Sequence, residues 1–564
     1  MTFIRTTVVC AWVAFAALVT AGATNAPRVT YTLTPLLENG ALHAVQVDID
    51  FRGAGNGQTV LDLPDSWGGE EELYRTVQEL AVTGASLRDG ASAAQRVLVH
   101  RPNARVHVRY RIVQDWDGEP RAQGRNPYRA MVQPGYFQFI GYAALAIPEL
   151  DEQSPANLRT RLPRGWSFAS DLQHADLTLG EVQRSVTVGG DYRIVRTTDP
   201  NIRVAIRGAW LFADDAIATE TLQILNAQRG FWGDASTPFL VTVTQLAAPP
   251  ESISIGGTGL GDAFAFYATP NAESARITRV LAHEGLHTWI PDAIGGMSSE
   301  GTEERLAYWL SEGFTDFYTA RLLVRDHVWT PQQYAADLND MLSAYAHSPV
   351  RTAPNTRIGE DFWNDNDVRQ LPYQRGRLLA LMWDARLRAA APGRDMDDLM
   401  MAMRTRHRAD SAANADALFP LAAADVGLAL GDELDRHVTR GEMVLLPETA
   451  FGPCGRVVTR EVPNFHRGFD ISATQANDMI IAGVIRTGPA YAAGMRDGMV
   501  LIRRTAGEIG DATQPITYVV RDGEAERSIT YIPRTAGTFT EQRLELASPL
   551  EGEALAQCVR VLGG

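Results

Sequence analysis

The 564-residue sequence has only three cysteines, no basic cluster, no internal repeat and, beyond its N-terminus, no apolar run of 18 residues. Each absence excludes something. Too short an apolar run means no comfortable crossing of a bilayer, so the mature chain is expected to have no stable membrane span. A formal net charge of -15 without clustered Arg or Lys leaves no electrostatic footprint for nucleic acid. Lack of a fixed period excludes a solenoid. What is there, 45% hydrophobic and 21% charged residues with no low-complexity block, is the composition of a globular protein. The chain is too long for one core, so several domains are expected.

The N-terminus reads as an export signal. Arg5 supplies a positive start, residues 8–19 (VVCAWVAFAALV) an apolar run, and Ala21-Gly22-Ala23 a small-x-small cleavage site. Residues 1–23 are therefore assigned as a signal peptide, and the mature chain as periplasmic or secreted. Cys10 leaves with the signal. Cys454 and Cys558 remain, an even pair in an exported chain, and are expected to form a disulfide.

Residues 24–205 are β-rich. Segments such as Ala44–Phe51 (AVQVDIDF) and Arg105–Val113 (RVHVRYRIV) alternate apolar and polar residues, and Gly, Pro, Asn and Asp separate them. Over 206–442 the texture becomes mostly helical, after two strands at 239–246 and 263–268. From 443 to 564 it is β-rich again, and 443–465, with Pro447, Pro453 and Pro463, reads as a linker into a small third domain. The expected class is multidomain α+β.

The sharpest motif is His283-Glu284-Gly285-Leu286-His287. On a helix, residues four apart share a face, so both imidazoles reach one metal ion. Glu284 projects toward the same cleft and is placed to take a proton from metal-bound water without being a ligand. The apolar, basic lead-in RITRVLA (276–282) has helical periodicity. A catalytic zinc takes a third protein ligand. Glu312, in the apolar helical segment AYWLSEGFTDFYTARLLV (307–324), is the best candidate, because a carboxylate on a buried helix is costly unless paired or metal-bound. Gly313 beside it is expected to allow close approach to the metal helix. Asp316, one turn on, is placed to accept a hydrogen bond from the free nitrogen of His283; an ion pair with Arg321 or Arg325 is the plainer alternative. Glu300, Glu303 and Glu304 lie in a polar stretch that reads as a solvated loop. Hydrolysis of an amide also needs an oxyanion donor. Tyr373, before the helical run of LPYQRGRLLALMWD, is a candidate, although a half-buried structural tyrosine would look the same.

HEGLHTW, WLSEGFTDFY and YQRG, in this order, resemble the gluzincin zinc metallopeptidases of the glycyl aminopeptidase family. The 24 residues between His287 and Glu312 are similar to that family's spacing, and LPRGWSFAS (162–170) is similar to a segment ending its N-terminal domain. The resemblance implies a β-rich N-terminal domain, a thermolysin-like catalytic domain with one zinc ion, and a C-terminal PDZ domain. It also implies a transition-state role for Tyr373. Arg467-Gly468-Phe469-Asp470 resembles a PDZ carboxylate loop, with Gly468 and Phe469 as its peptide-contacting residues. The segment TGPAYAAGMRDGMVLIRR (487–504) resembles a PDZ helix, turn and strand. Peptide binding by this module and a purely structural role both stay open.

One departure bears on specificity. Where the resemblance places a glutamate to anchor a substrate's free amine, the sequence has Gly259-Leu260-Gly261-Asp262. Gly259, Asp262 and Ala263 are the remaining substrate-binding candidates, with AFAFYA (263–268) as an expected edge strand. Aminopeptidase and other peptidase activities are therefore both compatible with the motifs. The expected partner is a peptide or protein substrate. The alternative is a retired peptidase fold serving as an exported peptide-binding scaffold.

Overall fold

The computed structural model describes residues 28–122, 128–248, 253–297, 302–391 and 393–564. The signal segment 1–23 and Glu300 lie outside the described residues. Among those described, no helix is long and apolar enough to cross a membrane.

The N-terminal region is built from three sheets. A five-stranded sheet runs in the order Ala156–Thr160, Val29–Glu38, Ala41–Arg52, Arg105–Ile112, Val77–Thr83. Its strands show the alternation that the sequence carries: Val106, Val108, Tyr110 and Ile112 are buried, while Arg105 and Arg109 are exposed. A four-stranded sheet that includes Gln58–Asp62 and Gln95–Val99 shares its core through Leu61 and Leu98. The third sheet includes Tyr136–Ile140 and Val186–Gly190.

The next sheet carries the site. Its order is Arg193–Arg196, Ile202–Arg207, Phe239–Gln245, Ala263–Ala268, Ile255–Leu260. Both faces are covered. Ile202, Val204, Ile206, Phe264 and Phe266 pack under the helices, while Ala205, Leu240, Ala263 and Ala265 pack against Ile140, Val186 and Val188 of the third sheet. Such two-sided burial explains why these strands read as continuous apolar runs. Two expectations are corrected here. The boundary at 205/206 falls inside the strand Ile202–Arg207, and the sheet begins at Arg193. AFAFYA is an interior strand: it pairs in parallel with Phe239–Gln245 and antiparallel with Ile255–Leu260, which is the edge.

Helices follow. The metal helix, Ser274–Leu286, buries Ile277, Leu281, Ala282 and Leu286 on one face. The glutamate helix, Tyr308–Arg325, is buried almost all round. The tyrosine helix, Asn366–Ala390, crosses it where Gly313 meets Gly376; a Cβ on Gly313 would lie 2.4 Å from Gly376 Cα. Gly313 thus serves the approach of the tyrosine helix and not that of the metal helix. Glu303 and Glu304, expected in a solvated loop, open a short helix, Thr302–Leu306.

Only the first part of the expected linker is irregular. Gly455–Phe465 is a strand that pairs along its length with Arg534–Leu546. This ribbon seats on the helix Pro331–His347, where Asn339 exchanges two hydrogen bonds with the Leu544 backbone, at 2.7 and 3.0 Å. Beyond it a three-stranded sheet, Val500–Ala506, Ile516–Asp522 and Ala525–Tyr531, has its own core around Phe469, Ile481, Leu501 and Val520. Gly468 adopts φ +82°, which favours glycine, and Phe469 is buried rather than presented to a ligand. Residues Ile471–Ala476 then form a short helix, which Asp470 caps by accepting from Ala473 N at 2.9 Å. The chain finally returns to the helical region. Helix Gly552–Gly563 packs on the glutamate helix, and Cys558 is joined to Cys454 with a Cα separation of 4.4 Å.

Candidate metal centre

The metal helix presents His283 and His287 on one face, as four-residue spacing requires. The glutamate helix crosses it and brings Glu312 to the same point. His283 Nε2 lies 3.3 Å from His287 Nε2 and 3.2 Å from Glu312 Oε2, and His287 Nε2 lies 3.5 Å from the same oxygen. Each residue's ligand atom is within 4.8 Å of the others.

The outer nitrogens decide the chemistry. His283 Nδ1–H donates to Asp316 Oδ1 at 2.8 Å, and His287 Nδ1–H donates to the Ile290 carbonyl at 2.9 Å. Each bond places the neutral ring's proton on Nδ1, so both Nε2 lone pairs face inward. When the rings are neutral, two nitrogen lone pairs and a carboxylate oxygen therefore converge on one point. That donor set fits a divalent cation of the zinc type.

The electrostatics agree. Burial alone would lower the pKa of His283, but hydrogen bonds to Asp316 and Glu312 outweigh it and raise it to about 10. His287 is raised too; burial opposes this, and Glu312 overcomes it. Burial pushes Glu312 up, yet the two histidines hold it well below the usual carboxylate range. Asp316 behaves likewise, with Arg279 and His283 outweighing burial. Without a metal, protons bridge this site; with one, a cation takes their place.

The sequence offers Asp316 either His283 or an ion pair with Arg321 or Arg325 as partner. It does meet His283, and its ion pair is with Arg279, 2.8 Å away. Arg321 instead serves Asp384, Asp395 and Asp397.

Glu284 is half-buried beside this cluster, outside the ligand set. Its Oε2 accepts the backbone N–H of Gly259, on the edge strand, at 3.1 Å. Of the three substrate-binding candidates, Gly259 alone faces the centre. Asp262 sits in the turn after the edge strand, where burial raises its pKa and Glu181, His174 and Arg229 are its charged neighbours. The Ala263 backbone is in register with Leu240 on one side and Leu260 on the other. Alternating strand direction and the hairpin turn explain both departures.

Tyr373 lies inside the tyrosine helix, not before it, and its ring centroid is 5.8 Å from that of His283. Burial pushes its phenol pKa well up, and Glu312, Glu284 and Asp316 add to this, so the proton stays on oxygen and can be donated. Tyr308, one turn before Glu312, was missed. Burial, then Glu304 and Glu312, raise its pKa as well. Its four-residue spacing from Glu312 was the available signal.

Residues 276–363, which hold both ligand motifs, match the family described as M61 glycyl aminopeptidase. The match covers the segment that carries both ligand motifs and supports a peptidase; Tyr373 and the C-terminal module lie outside it. Among solved structures, an aminopeptidase N family protein from Idiomarina loihiensis is similar to this chain with a TM-score of 0.70. It is 16% identical, over 95% of this chain and 100% of that one. At that identity the likeness concerns the fold. No curated protein matches the sequence.

Proposed function

We propose that the protein is an exported zinc metallopeptidase that hydrolyses peptide bonds, with Glu284 as general base. The observation that supports this most is the convergence of His283 Nε2, His287 Nε2 and Glu312 Oε2, with both outer imidazole nitrogens already engaged. Bound zinc would supply Lewis acidity toward the scissile carbonyl. Glu284 takes the proton of the attacking water and passes it to the leaving amine. The Tyr373 hydroxyl donates to the developing oxyanion. The edge strand Ile255–Leu260 offers backbone groups for an extended substrate, as in other strand-addition sites. The retired-scaffold alternative is not favoured, because the ligand set and Glu284 are complete.

The test is a peptide library with free and acetylated N-termini, incubated with the zinc-loaded protein and with Glu284→Gln, and read by mass spectrometry. Cleavage by the wild type alone supports the reading. Loss of cleavage on acetylation assigns an aminopeptidase despite the missing glutamate, and indifference to it assigns an endopeptidase or an exopeptidase of another preference, which the position of the cut distinguishes. No cleavage of any peptide by the zinc-loaded wild type would overturn general peptidase activity.

A further inference from the structure

Behind Asp316 lies a chain of alternating charges that the hydrolytic chemistry does not itself require. Arg279 stands one turn before His283 on the metal helix. Its Nη2 donates to Asp316 Oδ2 at 2.8 Å, and its Nε donates to Asp337 Oδ1, also at 2.8 Å. Asp337 belongs to the helix Pro331–His347, and its other oxygen is 2.7 Å from Nη1 of Arg377 on the tyrosine helix. Asp316 and Arg377 are almost fully buried, with side chains 5% and 1% exposed.

We propose that Arg279, held by Asp337, is a positioning residue for the metal site. One oxygen of Asp316 holds His283 Nδ1–H and the other is held by Arg279. The planar guanidinium fork fixes two carboxylates in one plane, which a point charge does not do. Fixing Asp316 fixes the ring plane of His283, and with it the direction of the Nε2 lone pair. The same contacts tie the metal helix to three others: the glutamate helix, the helix Pro331–His347 and, through Asp337, the tyrosine helix. The ligand triad is thus braced from behind before any metal arrives.

This inference rests on the zinc reading, and the test separates the two. Apo-protein is titrated with Zn2+ against a chromophoric chelator, and the visible spectrum of the Co2+ form is recorded. Variants are Arg279→Met, Arg279→Lys and Asp337→Asn. Asn339→Ala serves as the control, since it removes the ribbon's seat on the same helix without touching the charge chain. The expected result is a loss of Zn2+ affinity of about tenfold or more for Arg279→Met, a smaller loss for Asp337→Asn, and an altered Co2+ spectrum in both. Arg279→Lys should recover only part of the affinity. Asn339→Ala should lower stability and leave affinity unchanged. Wild-type affinity and spectrum in Arg279→Met, full recovery by Lys, or an equal loss in Asn339→Ala would each overturn the proposal while leaving zinc binding intact. A wild type that binds no Zn2+ would overturn both readings.

Discussion

The backbone N–H of Gly259 donates to Glu284 Oε2 at 3.1 Å, and the strand and helix approach so closely there that no side chain fits between them. A Cβ on Gly259 would stand 2.9 Å from the Glu284 carbonyl and 3.2 Å from His287 Cβ. Gly259→Ala must push the edge strand off the metal helix by a few tenths of an ångström and lengthen this hydrogen bond. We expect a fall in kcat of roughly tenfold or more with zinc content unchanged. Gly256→Ala, on the same strand with nothing within 4 Å of its Cβ, is the neutral comparison. Equal turnover by the two variants would remove Gly259 from the site.

Glu284→Gln separates proton transfer from metal binding. The carboxamide still accepts from Gly259 N–H but has no basic oxygen, and Glu284 stands outside the ligand set. Turnover should drop by about a hundredfold or more, while zinc measured by atomic emission stays at one per chain. Loss of zinc in this variant would make Glu284 a ligand and contradict the assignment.

The crossing of the glutamate and tyrosine helices is the tightest joint near the site. A Cβ on Gly376 would fall 1.8 Å from the Trp309 carbonyl, with Gly313 Cα only 2.8 Å away. Backbone on both sides leaves no flexible atom to yield. Gly376→Ala should cost about 3 kcal/mol of stability in denaturant unfolding and weaken zinc binding, since Glu312 rides on the displaced helix. A change below about 0.5 kcal/mol would show that the helices can slide apart freely.

How much of this was legible depended on range. His283, His287 and Glu284 lie within one helical turn or so, and Glu312 announced itself as a carboxylate among buried apolar residues. Asp316 followed by four-residue spacing, and Arg279 was open to the same argument, being four residues before His283. Asp337 carried no local signal; its role exists only because helix Pro331–His347 packs against the glutamate and tyrosine helices. The partner of Gly313 was hidden for the same reason. Gly455–Phe465 read as a linker because its strand partner lies about 80 residues away and most of its side chains are exposed or half-buried, which erases the alternation. The direction of Asp262 turned on one hairpin, where a shift of a single residue reverses the face.

Asp171 offers a test of the joint between the N-terminal region and the catalytic sheet. It is 9% exposed and accepts Val186 N–H at 2.9 Å. Burial, reinforced by the charge of Asp262 and opposed by backbone N–H groups, pushes its pKa up to about 8. Its unfolded value is near 3.9, so between those limits the folded state binds the extra proton. Stability from this group is therefore fully present below about pH 4 and declines as pH rises toward 8. Asp171→Asn keeps an oxygen for Val186 and cannot ionise. It should match the wild type near pH 4 and exceed it by roughly 3–5 kcal/mol at pH 8, read as the difference between their unfolding curves in metal-free buffer. If the two curves stay parallel from pH 4 to pH 8, Asp171 is ionised in the folded protein, and the joint holds its charge by contacts other than these.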